Sequence, residues 1–176
     1  MDNINEMRWI TAPLTAEFSL ENENGKGFKL EFEKLSESDD DPLSEWLKLA
    51  RARGETKESD PVTLALLIEL NRKIDDLTRF VKGEKKTRVE LKHSAALDGV
   101  NYAHFLLADD SLIPNERYYA RIAMPIFPIR DVGFYFIAKS ARVGEIALMH
   151  ERDQKAWDSY VASRERSMIR QMKERQ

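Results

Sequence analysis

Apolar and polar residues alternate near the start of the chain. Phe18 and Leu20 belong to one alternating run, residues 28–32 form a second, and the turn-forming segment ENENGKG lies between them. Alternation with a period of two is typical of a strand with one buried face. Two such runs around a glycine-containing turn indicate a hairpin. The pattern therefore predicts a β-hairpin over residues 15–33.

The spacing of apolar residues becomes helical in the middle of the chain. Asp41-Pro42 and Asp60-Pro61 each combine an aspartate, which can accept hydrogen bonds from a first helical turn, with a proline that fits the first helical position. Gly54 is a stop signal for the first of these helices. We therefore predict helices at residues 42–53 and 61–82.

The helix predicted at residues 61–82 carries apolar residues at coiled-coil spacing. Two series with seven-residue separation, offset by three residues, form the a/d pattern of a coiled coil. The residues of this seam are Leu67, Leu70, Ile74, Leu77 and Val81. Either this face packs on the strands of its own chain, or it binds other copies. We predict the second arrangement, a dimer or tetramer, because a small domain would leave much of so long a face uncovered.

Short alternating runs return after residue 87. They predict strands at 89–91, 99–107, 117–124, 132–139 and 143–148, with a bulge near Gly144 where the phase of the alternation changes. A closing helix begins at about Glu151 and has an apolar stripe that includes Trp157 and Val161. Strands and long helices in this order indicate the α+β class.

Composition limits the compartment and the partners. The 176 residues are 42% hydrophobic and 34% charged, with a net charge of -3 and no cysteine. These values fit one globular domain in a reducing compartment, and they lack the basic excess of a nucleic-acid-binding protein. No secretory signal opens the chain, and no run approaches the roughly 20 apolar residues of a membrane span. We expect a cytoplasmic protein that has no membrane span and does not bind nucleic acid.

Residues that would support catalysis are sparse and scattered. His93, His104 and His150 form no metal-binding pattern, and the sequence contains no glycine-rich phosphate loop or nucleophile motif. The aspartates at 39–41 are interpreted as a solvated loop. We therefore expect no enzymatic activity, no metal site and no bound cofactor.

From about residue 87 to its end, the chain resembles a PilZ domain, the bacterial module known for binding cyclic di-GMP. The matching pieces are SAALDG (94–99), VNYAHFLL, NERYYARIAMP, VGFYFIAKSARVGEIALM and a closing helix that contains Arg164-Glu165-Arg166. The resemblance implies a small antiparallel β-barrel closed by the C-terminal helix. The residues expected over one mouth of the barrel are Trp157, Tyr160 and Val161.

The chain departs from the family pattern in the motif that holds the ligand. That motif has an aspartate or asparagine first, a serine third and a glycine sixth, and these positions fall on Ser94, Ala96 and Gly99. Only the glycine matches. Two side chains that would hydrogen-bond the nucleotide are therefore missing.

A second departure concerns the arginine pair of the family, RxxxR, which precedes the first barrel strand. Its guanidinium groups grip phosphates in a bidentate way, which lysine does poorly. The nearest upstream counterpart is the pair Lys82 and Lys86, and the RxxxR spacing itself recurs only downstream, in residues 117–121 and 166–170. We therefore expect poor binding of cyclic di-GMP.

The interval between the long helix and Ser94 is too short for the strand that usually precedes the motif in the family. The hairpin predicted at residues 15–33 is the available source of the missing barrel strand. The helical segment 42–84 would then be an insertion within a single PilZ-like domain of residues 1–176.

Two functions follow from the resemblance. In the first, the protein is an adaptor or assembly module that self-associates and contacts a protein of a motility or pilus apparatus. Its partner surface would consist of Arg164, Arg166 and Arg170. In the alternative, it is a cyclic di-GMP receptor whose site consists of Lys82, Lys86, Arg88, Ser94 and Gly99. The missing motif groups favour the first function.

Overall fold

Residues 7–36, 42–83, 88–126 and 130–174 are described by the computed structural model. The chain divides into two compact units, which we call the barrel unit (Met1–Leu35 and Val89–Gln176) and the helical unit (Ser36–Arg88). The aspartates at 39–41 and Lys86 lie outside the described residues.

The barrel unit contains a closed antiparallel barrel, which has six strands within the described ranges. Around the barrel the strands follow the order β1-β2-β3-β6-β5-β4, and each neighbouring pair is antiparallel. The strands are β1 Thr15–Leu20, β2 His93–Val100, β3 His104–Leu107, β4 Arg117–Met124, β5 Arg130–Ala138 and β6 Val143–Met149. The expected α+β class and small antiparallel barrel are confirmed.

The α-helices of the described chain are α1 Gly25–Ser36, α2 Pro42–Ala52, α3 Pro61–Val81 and α4 Glu151–Glu174. The helices predicted from Asp-Pro pairs and from the closing segment agree with α2, α3 and α4 to within a few residues. Gly54, two residues beyond α2, has a φ of +77°, a conformation in which glycine is favoured at helix ends.

Aromatic side chains fill the barrel, and α4 closes it. Phe18, Phe105, Phe134 and Phe136 are fully buried inside the barrel and contact one another or Tyr118 edge-on or stacked. The residues of α4 that join the same core are Trp157, Tyr160 and Val161, as the sequence predicted. The indole N–H of Trp157 donates to the carbonyl of Asn101 at 3.0 Å, which fixes the helix beside the turn between β2 and β3.

The prediction of a second hairpin strand is wrong, because Gly25–Ser36 forms the helix α1. Phe28 and Phe32, four residues apart, are buried, whereas Leu30 between them is 58% exposed. The buried face therefore follows the spacing of a helix and not the alternation of a strand. The side chain of Asn24 accepts a hydrogen bond from the Gly27 amide at 3.2 Å and caps the first turn. The first strand is correct: β1 pairs with both β2 and β4, so the N-terminal region supplies a barrel strand.

Other strand boundaries also differ from the prediction. Residues 89–91 form no strand, and the run at 99–107 is divided by a turn in which the Asn101 side chain accepts hydrogen bonds from the amides of Ala103 and His104. The bulge in β6 lies at Ala147, not near Gly144, because the register passes from Tyr135↔Leu148 to Phe136↔Ile146. Within the described ranges, no helix has both the length and the apolarity that a membrane crossing requires.

Candidate functional site

The predicted coiled-coil seam lies on α3 and is open to solvent. The exposed fractions are 55% for Leu67, 56% for Leu70, 52% for Ile74, 62% for Leu77 and 77% for Val81. We call these five residues the α3 stripe. No residue of α3 is buried. Large contiguous apolar surfaces of this kind mark interaction sites in proteins.

The covered side of α3 lies opposite this stripe. The half-buried residues Leu64, Ile68, Arg72 and Asp76 follow one another at intervals of four, so they share one face of the helix. At 100° per residue, the centre of that face is turned by roughly 160° from the centre of the α3 stripe. The helix therefore has a partly covered face and, opposite it, the exposed α3 stripe.

Exposed apolar side chains are concentrated in the helical unit. Of the sixteen large apolar side chains that are exposed in the described chain, ten belong to Ser36–Arg88. In addition to the α3 stripe they are Trp46, Leu49, Val62, Leu66 and Phe80. The barrel unit has few such side chains for its larger size. Most of the large exposed apolar side chains of the described chain therefore belong to the helical unit.

The start of α3 is fixed by a capping aspartate. A carboxylate oxygen of Asp60 accepts hydrogen bonds from the amide of Thr63 at 2.9 Å and from its hydroxyl at 2.7 Å. Both bonds hold the pKa of Asp60 below its ordinary value of 3.8, and the bond from the Thr63 hydroxyl has the larger effect. A carboxyl group with a depressed pKa stabilises the folded form above its unfolded pKa, and this stabilisation is lost as the pH falls through the folded pKa.

We therefore expect the first turn of α3 to fray in acid. In an NMR titration, the Thr63 amide should lose its protection as the pH falls below about 4, the range in which free aspartate protonates. Asp60→Ala should show the frayed signal already at neutral pH. A Thr63 amide that is equally protected in both proteins at neutral pH would contradict the cap.

The motif positions of the candidate ligand site lie on β2. Ser94 and Ala96 are exposed on its outer face, and Asp98, next on that face, forms an ion pair with Arg142 at 2.6 Å. Gly99 is buried, and an added Cβ would lie 2.9 Å from the Cβ of Trp9. The glycine is therefore required for the close approach of Trp9, a contact that the sequence did not indicate.

The RxxxR spacing in β4 belongs to arginines that already have partners. Arg117 contacts Glu21 at 3.2 Å and lies over the ring of Tyr135 at 5.2 Å. Arg121 is buried and forms ion pairs with Glu17 and Glu31. Both guanidinium groups are therefore paired with carboxylates of the barrel unit.

The residues proposed for nucleotide binding are divided between the two units. Lys82 follows α3 and belongs with Arg88 to the helical unit, whereas Ser94 and Gly99 are on β2 of the barrel unit. Lys86 lies outside the described residues.

The arginines of α4 have different surroundings. Arg164, predicted to belong to the partner surface, is half-buried and donates from Nε to the carbonyl of Thr11 at 3.1 Å. Arg166 and Arg170 are exposed and have no partner among the described residues, and Lys173 is exposed one turn further on. The expected basic surface therefore consists of Arg166 and Arg170, continued by Lys173, while Arg164 fastens the N-terminal segment.

A buried charge cluster on the outer side of the barrel was missed by the sequence analysis. Arg121 donates to Oε2 of Glu17 from Nη2 at 2.6 Å and to Oε1 of Glu31 from Nη1 at 2.8 Å. The hydroxyl of Tyr119 also donates to Glu31, at 3.0 Å. Burial and the negative charge of Glu31 raise the pKa of Tyr119 far above its ordinary value. Burial alone would lower the pKa of Arg121, but its two carboxylate partners outweigh burial and raise it.

Comparison with known proteins identifies no relative. No protein family matches the chain, and no curated protein or solved structure is significantly similar to it.

Proposed function

We propose that this chain is a non-enzymatic, PilZ-like adaptor that assembles into a dimer or tetramer through α3 and acts in bacterial signalling related to cyclic di-GMP. The observation that carries the proposal is the α3 stripe, five apolar residues at a/d spacing that are each more than half exposed. Pairing of such stripes between copies of the chain removes them from water. In this proposal the helical segment 42–84 is an insertion in a single PilZ-like domain.

The buried charges of the barrel unit support a structural role for its polar residues. Arg121 is neutralised by two carboxylates, and Arg130 is paired with the buried Asp153 at 3.0 Å. Among the described residues, histidines and carboxylates do not group into a metal-binding cluster. Binding through exposed surfaces is the activity that this arrangement favours.

Sedimentation of the wild-type protein tests the assembly. Because the chain has a mass of 20.4 kDa, we expect sedimentation velocity at micromolar concentration to give twice or four times that mass. Dilution should shift the distribution toward the monomer, as mass action requires. A single species of monomer mass at all concentrations would contradict the proposal.

The basic side of α4 is the proposed surface for a protein partner of a motility or pilus apparatus. Reversal of both exposed charges in the Arg166→Glu, Arg170→Glu variant should leave the fold intact. It should weaken capture of an acidic partner in a way that depends on salt, since exposed charges act through screened long-range attraction. Affinity purification from a bacterial lysate at low and at high salt provides the measurement.

The matched control for this variant reverses two exposed lysines on α1, Lys26 and Lys29. It produces the same change of net charge at another place. Equal loss of binding in both variants would show an effect of net charge alone and would remove α4 as the partner surface.

The alternative function, a cyclic di-GMP receptor, is disfavoured by the described geometry. Ala96 offers no hydroxyl, Trp9 packs against Gly99, and the arginines of β4 are bound to carboxylates. Each missing charge-assisted hydrogen bond removes roughly 1.5–3 kcal/mol, or about one to two orders of magnitude in affinity.

We therefore expect calorimetry at about 150 mM salt to show no saturable binding of cyclic di-GMP. The double substitution Ser94→Asp with Ala96→Ser should not restore binding, because the upstream arginine pair is still missing. Saturable binding below about ten micromolar that is abolished by Lys82→Ala would establish the receptor function instead.

A further inference from the structure

The chain returns from the helical unit to the barrel unit at Val89. Val89 lies outside any strand, yet both of its backbone groups are bound by side chains. Its amide donates to Oε2 of Glu31 at 2.6 Å, and its carbonyl accepts from Nη1 of Arg121 at 3.3 Å. The return point of the chain is therefore held by the same buried ion pair that joins α1 to β4.

The chain leaves the barrel unit at the end of α1, and this point is held as well. The last four carbonyl groups of α1, which include that of Leu35, have no partner within the helix. Nε2 of His150 lies 2.9 Å from the carbonyl of Phe32, and Nη2 of Arg152 donates to the carbonyl of Leu35 at 3.1 Å. Basic side chains at a helix C-terminus also interact favourably with its dipole.

These contacts form only while α1 lies in its place on the barrel, because the helix packs there through buried side chains. The side chains of Glu31 and Arg121 are each only 7% exposed. Phe28 stacks on Tyr119 with ring centroids 5.1 Å apart, and Phe32 stacks on His150 at 3.8 Å. A buried charge without its partner is strongly unfavourable, so loss of the ion pair and movement of α1 are coupled.

We propose that α1 is a clasp that fastens both chain connections of the helical unit to the outer face of the barrel. Glu31 and Arg121 hold the returning chain, His150 and Arg152 hold the departing chain, and the two attachments open together when α1 is released. The clasp fixes the two points, Leu35 and Val89, at which the chain leaves the barrel unit and returns to it. It requires neither self-association nor a nucleotide, so it stands or falls separately from the proposed function.

Amide hydrogen exchange measured by NMR tests the clasp in the full-length chain. In the wild type, the Val89 amide should be protected although it belongs to no strand. Glu31→Gln replaces a charged acceptor by a neutral one and should accelerate exchange at Val89 and along α1 by about tenfold to a hundredfold. Amides of β5, such as Phe136, should keep their wild-type rates.

Glu33→Gln is the matched control, because it makes the same substitution on the exposed side of the same helix. It should leave the exchange of Val89 unchanged. A wild-type Val89 amide that exchanges as fast as an unprotected one would overturn the proposal, whatever the variants show. So would acceleration at Val89 without acceleration in α1, since the attachments would then open separately.

A second variant reaches the clasp without changing any of its residues. An added Cβ at Gly133 would lie 2.6 Å from the hydroxyl of Tyr119 and 3.0 Å from Cδ1 of Leu35. Gly133→Ala must therefore displace Tyr119, which donates to Glu31, or α1 itself. Exchange at Val89 and in α1 should again accelerate together, and an unchanged Val89 rate in both variants with intact β5 protection would refute the clasp.

Discussion

The variant carrying Leu70→Asp and Ile74→Asp is expected to have the mass of the 20.4 kDa monomer at concentrations where the wild type is a dimer or tetramer. Both positions lie in the middle of the α3 stripe and are 56% and 52% exposed in the single chain. The substitutions therefore cost little in the monomer. In an assembly they would bury unpaired carboxylates in an apolar interface, which is far more unfavourable than burying leucine or isoleucine. Light scattering coupled to size-exclusion chromatography measures the change.

Ala65→Asp is the matched control for this variant. Ala65 is an exposed residue of the same helix that lies outside the α3 stripe, and the substitution to aspartate lowers helix propensity in a comparable way. It should retain the wild-type mass. If Ala65→Asp also gives monomers, the effect is a general loss of the helix, and circular dichroism of both variants distinguishes that case. If the double variant keeps the wild-type mass, α3 is not the interface.

Local signals were sufficient to predict most elements of the fold. The Asp-Pro pair before α3 is a local signal, because Asp60 caps the helical turn that directly follows it. The strand β4 was also predictable, because its apolar run is bounded by clear turns. The segment that became α1 was ambiguous, because apolar residues at 28, 30 and 32 satisfy a strand pattern while 28 and 32 also satisfy a helix pattern. Only packing against Tyr119 and Tyr135 decides between them, and that contact is not visible in the local sequence.

The candidate sites divide in the same way. The α3 stripe was predictable because heptad spacing is a property of one helix. The surroundings of the arginines were not, because their partners are distant in sequence: Arg121 pairs with Glu31 across 90 positions and with Glu17 across 104. The spacing that Arg117 and Arg121 share with a phosphate-binding motif is therefore no guide to their role, which the carboxylates opposite them determine.

The second large effect is expected from Arg121→Met. Methionine keeps an unbranched, apolar stem but removes the charge that neutralises Glu31, whose side chain is 7% exposed. Removal of one partner of a buried ion pair costs about 3–5 kcal/mol, because the other charge stays buried and unpaired. Domains of this kind have a free energy of unfolding of about 5–15 kcal/mol, so the loss is a large fraction of the total. Urea denaturation followed by circular dichroism measures it.

Arg117→Met provides the comparison, because it makes the same substitution on the same strand. Arg117 and its partner Glu21 are 46% and 37% exposed, and such pairs contribute about 0–1 kcal/mol. The Arg121→Met, Glu31→Met double variant should lose less than the sum of its single variants, since no unpaired charge then remains at residue 31. Equal losses for Arg117→Met and Arg121→Met, or strictly additive losses in the double variant, would show that the Arg121–Glu31 pair does not hold α1 on the barrel.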